Sequence, residues 1–322
     1  MKYRHMGKWG VELSEIGLGS YLTIGFKLDE ETSRATVKAA VDGGINFIDT
    51  ANAYNTGGAE EMLGKILKDY DRSSLFVLTK VFAPMGKGPN DRGLSAKHIH
   101  EQCDASLKRL QMDYVDLYMC HRPDPSTPLE ETARAMEDLA RRGKILYWGV
   151  SEWSAAQMIE ANGVAERIGA RPIGVNEPRY SLMYRHPENE VFPVTLAQGI
   201  GNVVFSPLAH GMLTGKYKPG EEAPAGTRAA DDDTNSVIKN LYWTEENKKK
   251  AQEFVEIAKD LGTTGAGLAL AWVLRNPAVT SAIIGATKVS QIEENVKAVD
   301  VEIPDDVAAK LDELFPPVPT KP

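Results

Sequence analysis

Cysteine is nearly absent from this chain: Cys103 and Cys120 are the only two in 322 residues. Two cysteines make neither a disulfide framework nor a metal-ligand set, and such scarcity suits a reducing cytoplasm, which is the expected location. Basic charge is in deficit. The 37 Lys and Arg face 45 Asp and Glu, for a formal net charge of -8, which argues against nucleic acid as the main partner. Long apolar runs are missing too. No stretch approaches the roughly 18 apolar residues of a membrane helix, and the opening M-K-Y-R-H-M-G-K-W-G has no apolar signal core. A membrane partner is therefore not expected. What is present, 42% hydrophobic and 25% charged residues, is the composition of a globular protein.

The order along the chain is an alternation. Short β-branched runs predict strands over 16–19, 46–49, 75–79, 114–119, 145–150, 173–175, 203–206 and 281–284. Amphipathic segments between them predict helices near 30–43, 59–69, 95–110, 129–142, 154–168, 187–198, 244–261, 264–275 and 290–298. In 264–275 the apolar positions Leu268, Ala271, Trp272 and Leu274 fall mainly on one face. Eight strands joined by helical crossovers make a parallel sheet, and eight such units close into a (β/α)8 TIM barrel. Residues 2–13, with Gly7 and Gly10, predict an N-terminal hairpin able to cover the barrel floor. A further helix is expected over 304–314, a loose Pro-rich tail from 316, and a long irregular stretch over 216–243 that reads as either a functional lid or a disordered segment. Nothing suggests a second domain, so 1–322 reads as one unit.

Four titratable residues stand at or just past successive strand ends: Asp49 and Tyr54 in F-I-D-T-A-N-A-Y, Lys80 in F-V-L-T-K, and His121 in Y-V-D-L-Y-M-C-H. Singly, Asp49 suits a turn, Tyr54 packing, Lys80 a solvated rim and His121 a cap. Together, on the functional face of a barrel, they suit proton transfer to an oxygen. A nearby ammonium favours the phenolate, so Lys80 is expected to lower the Tyr54 pKa. Asp49 would hold Lys80 charged, and His121 would polarise a carbonyl beside Tyr54.

The chain also carries G-L-G-S (17–20), N-F-I-D-T-A-N-A-Y (46–54), L-T-K (78–80), D-L-Y-M-C-H (116–121), G-K-I-L-Y-W-G-V-S (143–151), S-P-L-A-H-G-M-L-T-G-K-Y (206–217) and G-A-T-K-V-S-Q-I-E-E-N (285–295). By these motifs it resembles the aldo-keto reductases, in the branch with the β-subunits of voltage-gated potassium channels and related bacterial oxidoreductases. The resemblance implies an oxidoreductase that reduces an aldehyde or ketone, with Tyr54 as general acid–base. A cofactor-sensing regulatory subunit with little turnover is the alternative.

The resemblance also implies NADPH or NADP+, with NADH less favoured, bound across the barrel mouth. The chain accordingly lacks G-x-G-x-x-G after a first strand. The implied contacts are Gly19, Ser20, Tyr21 and Asp49 near the first strands, and Ser151 with Glu177 at the nicotinamide carboxamide. In this chain Glu152 and Glu177 stand where the family often has amides. Phe205 would stack on the nicotinamide. Ser206, Pro207, Leu208, Gly211, Leu213, Gly215, Lys216 and Arg228 would fold over the pyrophosphate. Gly285 is a further implied contact; Thr287, Lys288 and Gln291 would face a 2'-phosphate, and Glu294 and Asn295 the adenine. The helix start near Ser290 offers unpaired N–H groups there. Tyr21, Ile24, Phe82 and Met85 are candidate walls of an apolar substrate pocket. No metal is expected: His98 and His100 lie two apart in a helix and point in different directions. The oligomeric state is left open.

Overall fold

The structure, a computed structural model, describes residues 1–319 of the chain. Strands β1 (Tyr3–His5) and β2 (Glu12–Ser14) form an antiparallel hairpin. Eight parallel strands follow: β3 (Ile16–Gly19), β4 (Phe47–Asp49), β5 (Phe76–Val81), β6 (Val115–Cys120), β7 (Ile145–Ser151), β8 (Val175–Glu177), β9 (Gly201–Val204) and β10 (Val279–Ile284). β10 pairs with β3 and closes the barrel. The expected TIM barrel with an N-terminal hairpin is the observed fold.

Helices α1 (Glu30–Asp42), α2 (Gly58–Leu67), α3 (Ala96–Leu110), α4 (Leu129–Arg141), α5 (Ala155–Ile168) and α6 (Val191–Gln198) supply the crossovers. Side chains start several of them: Asp29 accepts from the Thr32 N–H, Ser95 from that of His98, and Ser154 exchanges bonds with Gln157 in a capping box. Past β9 come α7 (Ser236–Leu241), α8 (Glu245–Asp260) and α9 (Gly265–Arg275), and past β10 come α10 (Val289–Asn295) and α11 (Asp305–Leu314).

Alternation along each strand sorts the interior. Phe47, Phe76, Leu78, Leu117, Met119, Val175, Val203 and Ile283 fill the lower barrel, while Ile48, Val77, Tyr118 and Cys120 join the outer core beneath the helices. Met6 and Leu13 of the hairpin enter the inner cluster from below, so the hairpin plugs the floor. Gly7 permits that approach, at φ 61° with the Gly199 carbonyl 2.3 Å from where a Cβ would stand. Gly17 leaves room for the Phe47 ring, which a Cβ would meet at 2.4 Å.

Several boundaries differ from expectation. β8 begins two residues later than predicted and β9 ends two residues earlier. α6 starts at Val191 because a separate 3-10 turn, His186–Glu188, precedes it. In α9 every residue from Gly265 to Leu274 is buried, not one face alone, since the helix packs against α8, α10 and the 3-10 turn Val296–Asp300 as well as β10. The segment 216–243 holds the turn Arg228–Ala230 and α7, anchored by buried Tyr217, Ile238 and Tyr242. Of the expected loose tail, the Val318 carbonyl accepts from Asn189 Nδ2 at 3.1 Å, and residues 320–322 lie outside the described residues.

Candidate active site

The upper interior of the barrel is charged where the lower interior is apolar. Strand register places Asp49 opposite Leu78, so Lys80 stands one inward step above it. Ser151 is opposite Glu177. Gly19 opens the space beside Asp49: a Cβ there would lie 2.7 Å from Ile283 and 3.5 Å from Asp49 Oδ2. Tyr54 comes from the turn after β4. Asn55 and Thr56 both adopt left-handed backbone angles there, a costly state for a β-branched residue, and Asn55 Nδ2 donates to the Gly25 carbonyl. That turn aims the phenol back into the barrel.

All four strand-end residues converge. Lys80 is fully buried. Its ammonium hydrogen-bonds Asp49 Oδ1 directly, donates to the Thr50 carbonyl at 3.2 Å and lies 3.3 Å from the Tyr54 hydroxyl. The His121 and Tyr54 rings meet edge to face, 5.7 Å apart between centroids. Glu177 also belongs to this cluster, with Oε2 at 3.3 Å from Lys80 Nζ.

Burial opposes every charge here. It would strip Lys80 of its proton, but Asp49 and Glu177 outweigh it and hold the ammonium above its ordinary value. Burial pushes Asp49 and Glu177 up against the pull of Lys80, Glu177 to about 8. The expectation for Tyr54 is overturned: its phenol is raised. Burial comes first, and Asp49 and Glu177 add to it, while Lys80 pulls down without prevailing. Burial, with Lys80 and Arg122, holds His121 well below its ordinary value. At neutral pH the cluster therefore presents a protonated phenol and a neutral imidazole.

Around the mouth, Ser151 Oγ donates to the Glu177 carbonyl at 3.0 Å and accepts from Arg122. Glu152, with φ 57°, points its carboxylate at the Arg179 backbone N–H, 2.7 Å away. It is committed to the backbone there. Phe205 lies just past β9, half-buried, with the Arg179 guanidinium 5.7 Å from its ring centre. Ser206, Pro207 and Leu208 lead into a 3-10 turn, Ala209–Thr214, which contains Gly211 and the buried Leu213 and ends at Gly215. Its His210 is absent from the sequence candidates. The Nε2 of His210 contacts Ser206 Oγ at 3.1 Å and its Nδ1 faces Arg228 at 2.8 Å. Only its place in S-P-L-A-H-G, beside the expected pyrophosphate loop, could have flagged it. Burial pushes Lys216 and Arg228 below their ordinary values, and neither forms an ion pair among the described residues. Such cations suit an anion.

Ser20 is buried, its hydroxyl donating to Thr50 Oγ1, and Tyr21 is exposed against Tyr54 at 5.0 Å between rings. Gly285, Thr287, Lys288, Gln291 and Glu294 are exposed and Asn295 is buried. The helix start expected at Ser290 falls at Val289. Gln291 Oε1 accepts from the Thr287 and Lys288 N–H groups, so those donors are not free in this structure, and Ser290 lies inside the helix. Phe82 and Met85 are half-buried in the loop after β5, whereas Ile24 is 1% exposed and packs into the outer core. Among the described residues no group of three His, Cys, Asp or Glu could hold a metal, and no helix is long and apolar enough to cross a membrane.

Comparison with known proteins agrees with this architecture. The family model described as Aldo/keto reductase family matches residues 15–315. The chain is 43% identical over 325 residues to a protein of Arabidopsis thaliana named a probable voltage-gated potassium channel subunit beta, spanning 100% of this chain and 98% of that one. It is 44% identical over 304 residues to the protein of the same name from Oryza sativa subsp. japonica, covering 94% and 92%. A putative voltage-gated potassium channel subunit beta of Schizosaccharomyces pombe is 41% identical over 323 residues, covering 97% and 93%.

Proposed function

The chain belongs to the aldo/keto reductase family, and from that premise we propose that it is an NADPH-dependent reductase of aldehydes or ketones, working in the cytoplasm. One observation carries the reading: Lys80 is held within hydrogen-bonding reach of both Asp49 and the Tyr54 hydroxyl inside a buried cluster. A bound NADPH would supply the hydride. The residues supply the proton. Tyr54, protonated at neutral pH, donates to the carbonyl oxygen as negative charge develops there. Lys80 steadies the phenolate left behind. His121, kept neutral, offers a ring N–H to the same oxygen and orients it. Asp49 keeps Lys80 in place.

The cations Lys216, exposed, and Arg228, half-buried, which form no ion pair among the described residues, fit a dinucleotide pyrophosphate from the loop after β9. The half-buried ring of Phe205 fits a flat nicotinamide, with Ser151 beside its carboxamide. The apolar surfaces of Tyr21, Phe82 and Met85 suit an aldehyde or small ketone. Tyr54→Phe removes the proton donor and is expected to abolish reduction while leaving NADPH binding nearly intact, read by turnover and by cofactor fluorescence. Turnover retained in that variant would sink the assignment.

A second reading draws on the names of the relatives: a cofactor-binding subunit that regulates a channel. Background turnover of an activated aromatic aldehyde, with dinucleotide still tightly bound, would favour it over reduction.

A further inference from the structure

Glu177 has a place in the buried cluster that proton donation by Tyr54 does not explain. It ends β8, is 3% exposed, and faces the barrel interior. Its Oε2 is 3.3 Å from the Lys80 ammonium yet has no hydrogen-bond partner. Lys80, with one positive charge, thus faces two carboxylates and a phenol. The charged groups that face Glu177 are Lys80 from β5, Asp49 from β4 and Arg122 past β6. Tyr54 feels it from the turn after β4. His121, beside Arg122, is held neutral. Glu152, the next charged neighbour past β7, is turned to the Arg179 backbone.

Arg122 is only half-buried, so within the fully buried core Lys80 alone faces the two carboxylates, and a net negative charge there is costly. A proton is the simplest relief, and geometry decides where it sits. Asp49 hydrogen-bonds the ammonium directly and is the better-stabilised anion. Glu177 touches it only at ion-pairing distance, so Glu177 is the carboxyl that carries the proton.

We propose that Glu177 is a positioning residue of the proton-transfer site, which by holding or releasing a proton beside Lys80 sets how tightly Tyr54 holds its own. This rests on the reading of Tyr54 as proton donor. When Glu177 is neutral, the Lys80 field on the phenol is offset by Asp49 alone. When Glu177 loses its proton to solvent, a second negative charge opposes the phenolate, and Tyr54 becomes the weaker acid. The two groups titrate as a coupled pair. Burial brings Glu177 to about 8, so the change falls within the neutral to mildly alkaline range.

The test is Glu177→Gln, which keeps the side-chain shape and removes the ionisable group. If Tyr54 is the proton donor in reduction, it is the base in alcohol oxidation with NADP+, whose rate should then rise with pH. The midpoint of that rise is expected to fall by about one pH unit in the variant, the scale of one nearby charge. In the cofactor-free parent, the infrared band of a protonated carboxyl should disappear as pH rises through about 8, and it should be missing from the variant. An unmoved midpoint in a folded, active variant overturns the proposal, and so does a parent without that titrating band, even if the variant does not fold. Turnover retained in Tyr54→Phe would remove the underlying reading. Normal loss there with an unmoved Glu177→Gln midpoint would remove this inference alone.

Discussion

Replacing Glu177 by Gln should stabilise the folded chain increasingly as pH rises. Burial, against the pull of Lys80, lifts the folded-state carboxyl from 4.5 to about 8. A carboxyl raised on folding binds its proton more tightly in the folded state. Its contribution is favourable below the unfolded value, is lost as pH climbs through the window from about 4.5 to about 8, and is constant above it. Each unit of difference corresponds to about 1.4 kcal/mol. The gap of 8 − 4.5 = 3.5 units therefore bounds the alkaline cost of Glu177 at roughly 5 kcal/mol. Asp49 and Lys80 readjust their own protonation in response, which leaves an expectation of about 2–5 kcal/mol. Gln has no such dependence and leaves Lys80 and Asp49 as a one-to-one pair. The assay is urea unfolding of parent and variant across pH, with m-values compared to confirm equal exposure. The stability difference should be small near pH 5 and grow in favour of the variant to its full size by about pH 9. A difference that stays flat would mean that Glu177 ionises in the fold as it does in water, and would refute the reasoning.

Two other predictions concern separate parts of the molecule. Glu60 is fully buried, and Arg109 Nε donates to its Oε2 at 2.6 Å. Arg109→Met leaves that carboxylate unpaired and should cost about 3–5 kcal/mol by denaturant unfolding, whereas a loss under about 1 kcal/mol would show the pair to be dispensable. Arg228→Gln should weaken NADPH binding about tenfold and reduce its salt dependence, the effect of one charge-assisted contact. An unchanged Kd by fluorescence titration would remove Arg228 from the anion site.

Much of this molecule is legible residue by residue. Strands and helices with clean periodicity and capping residues, such as 95–110 behind Ser95, fall where spacing predicts. β8 and β9 do not, because each carries polar residues in positions that read as loop. Asn202 looks like a turn residue, yet it is buried in β9 with its amide donating to Thr195 Oγ1 and the Ala278 carbonyl. Glu177 reads as lying beyond a strand and instead ends one. Ile24 reads as a pocket wall because it is apolar and near the mouth, but only packing shows that it turns into the core.

The sequence by itself determined the barrel, since alternating strand and crossover segments admit few closures, and it determined which four side chains leave successive strand ends. It also determined that His98 and His100 diverge. Tertiary structure alone decided the protonation of the cluster. The pull of Lys80 on Tyr54 is readable from chemistry, but its outcome depends on burial and on a second carboxylate that arrives from across the barrel. Charge interactions depend on distance and on exclusion of water, and neither quantity is written in the order of residues.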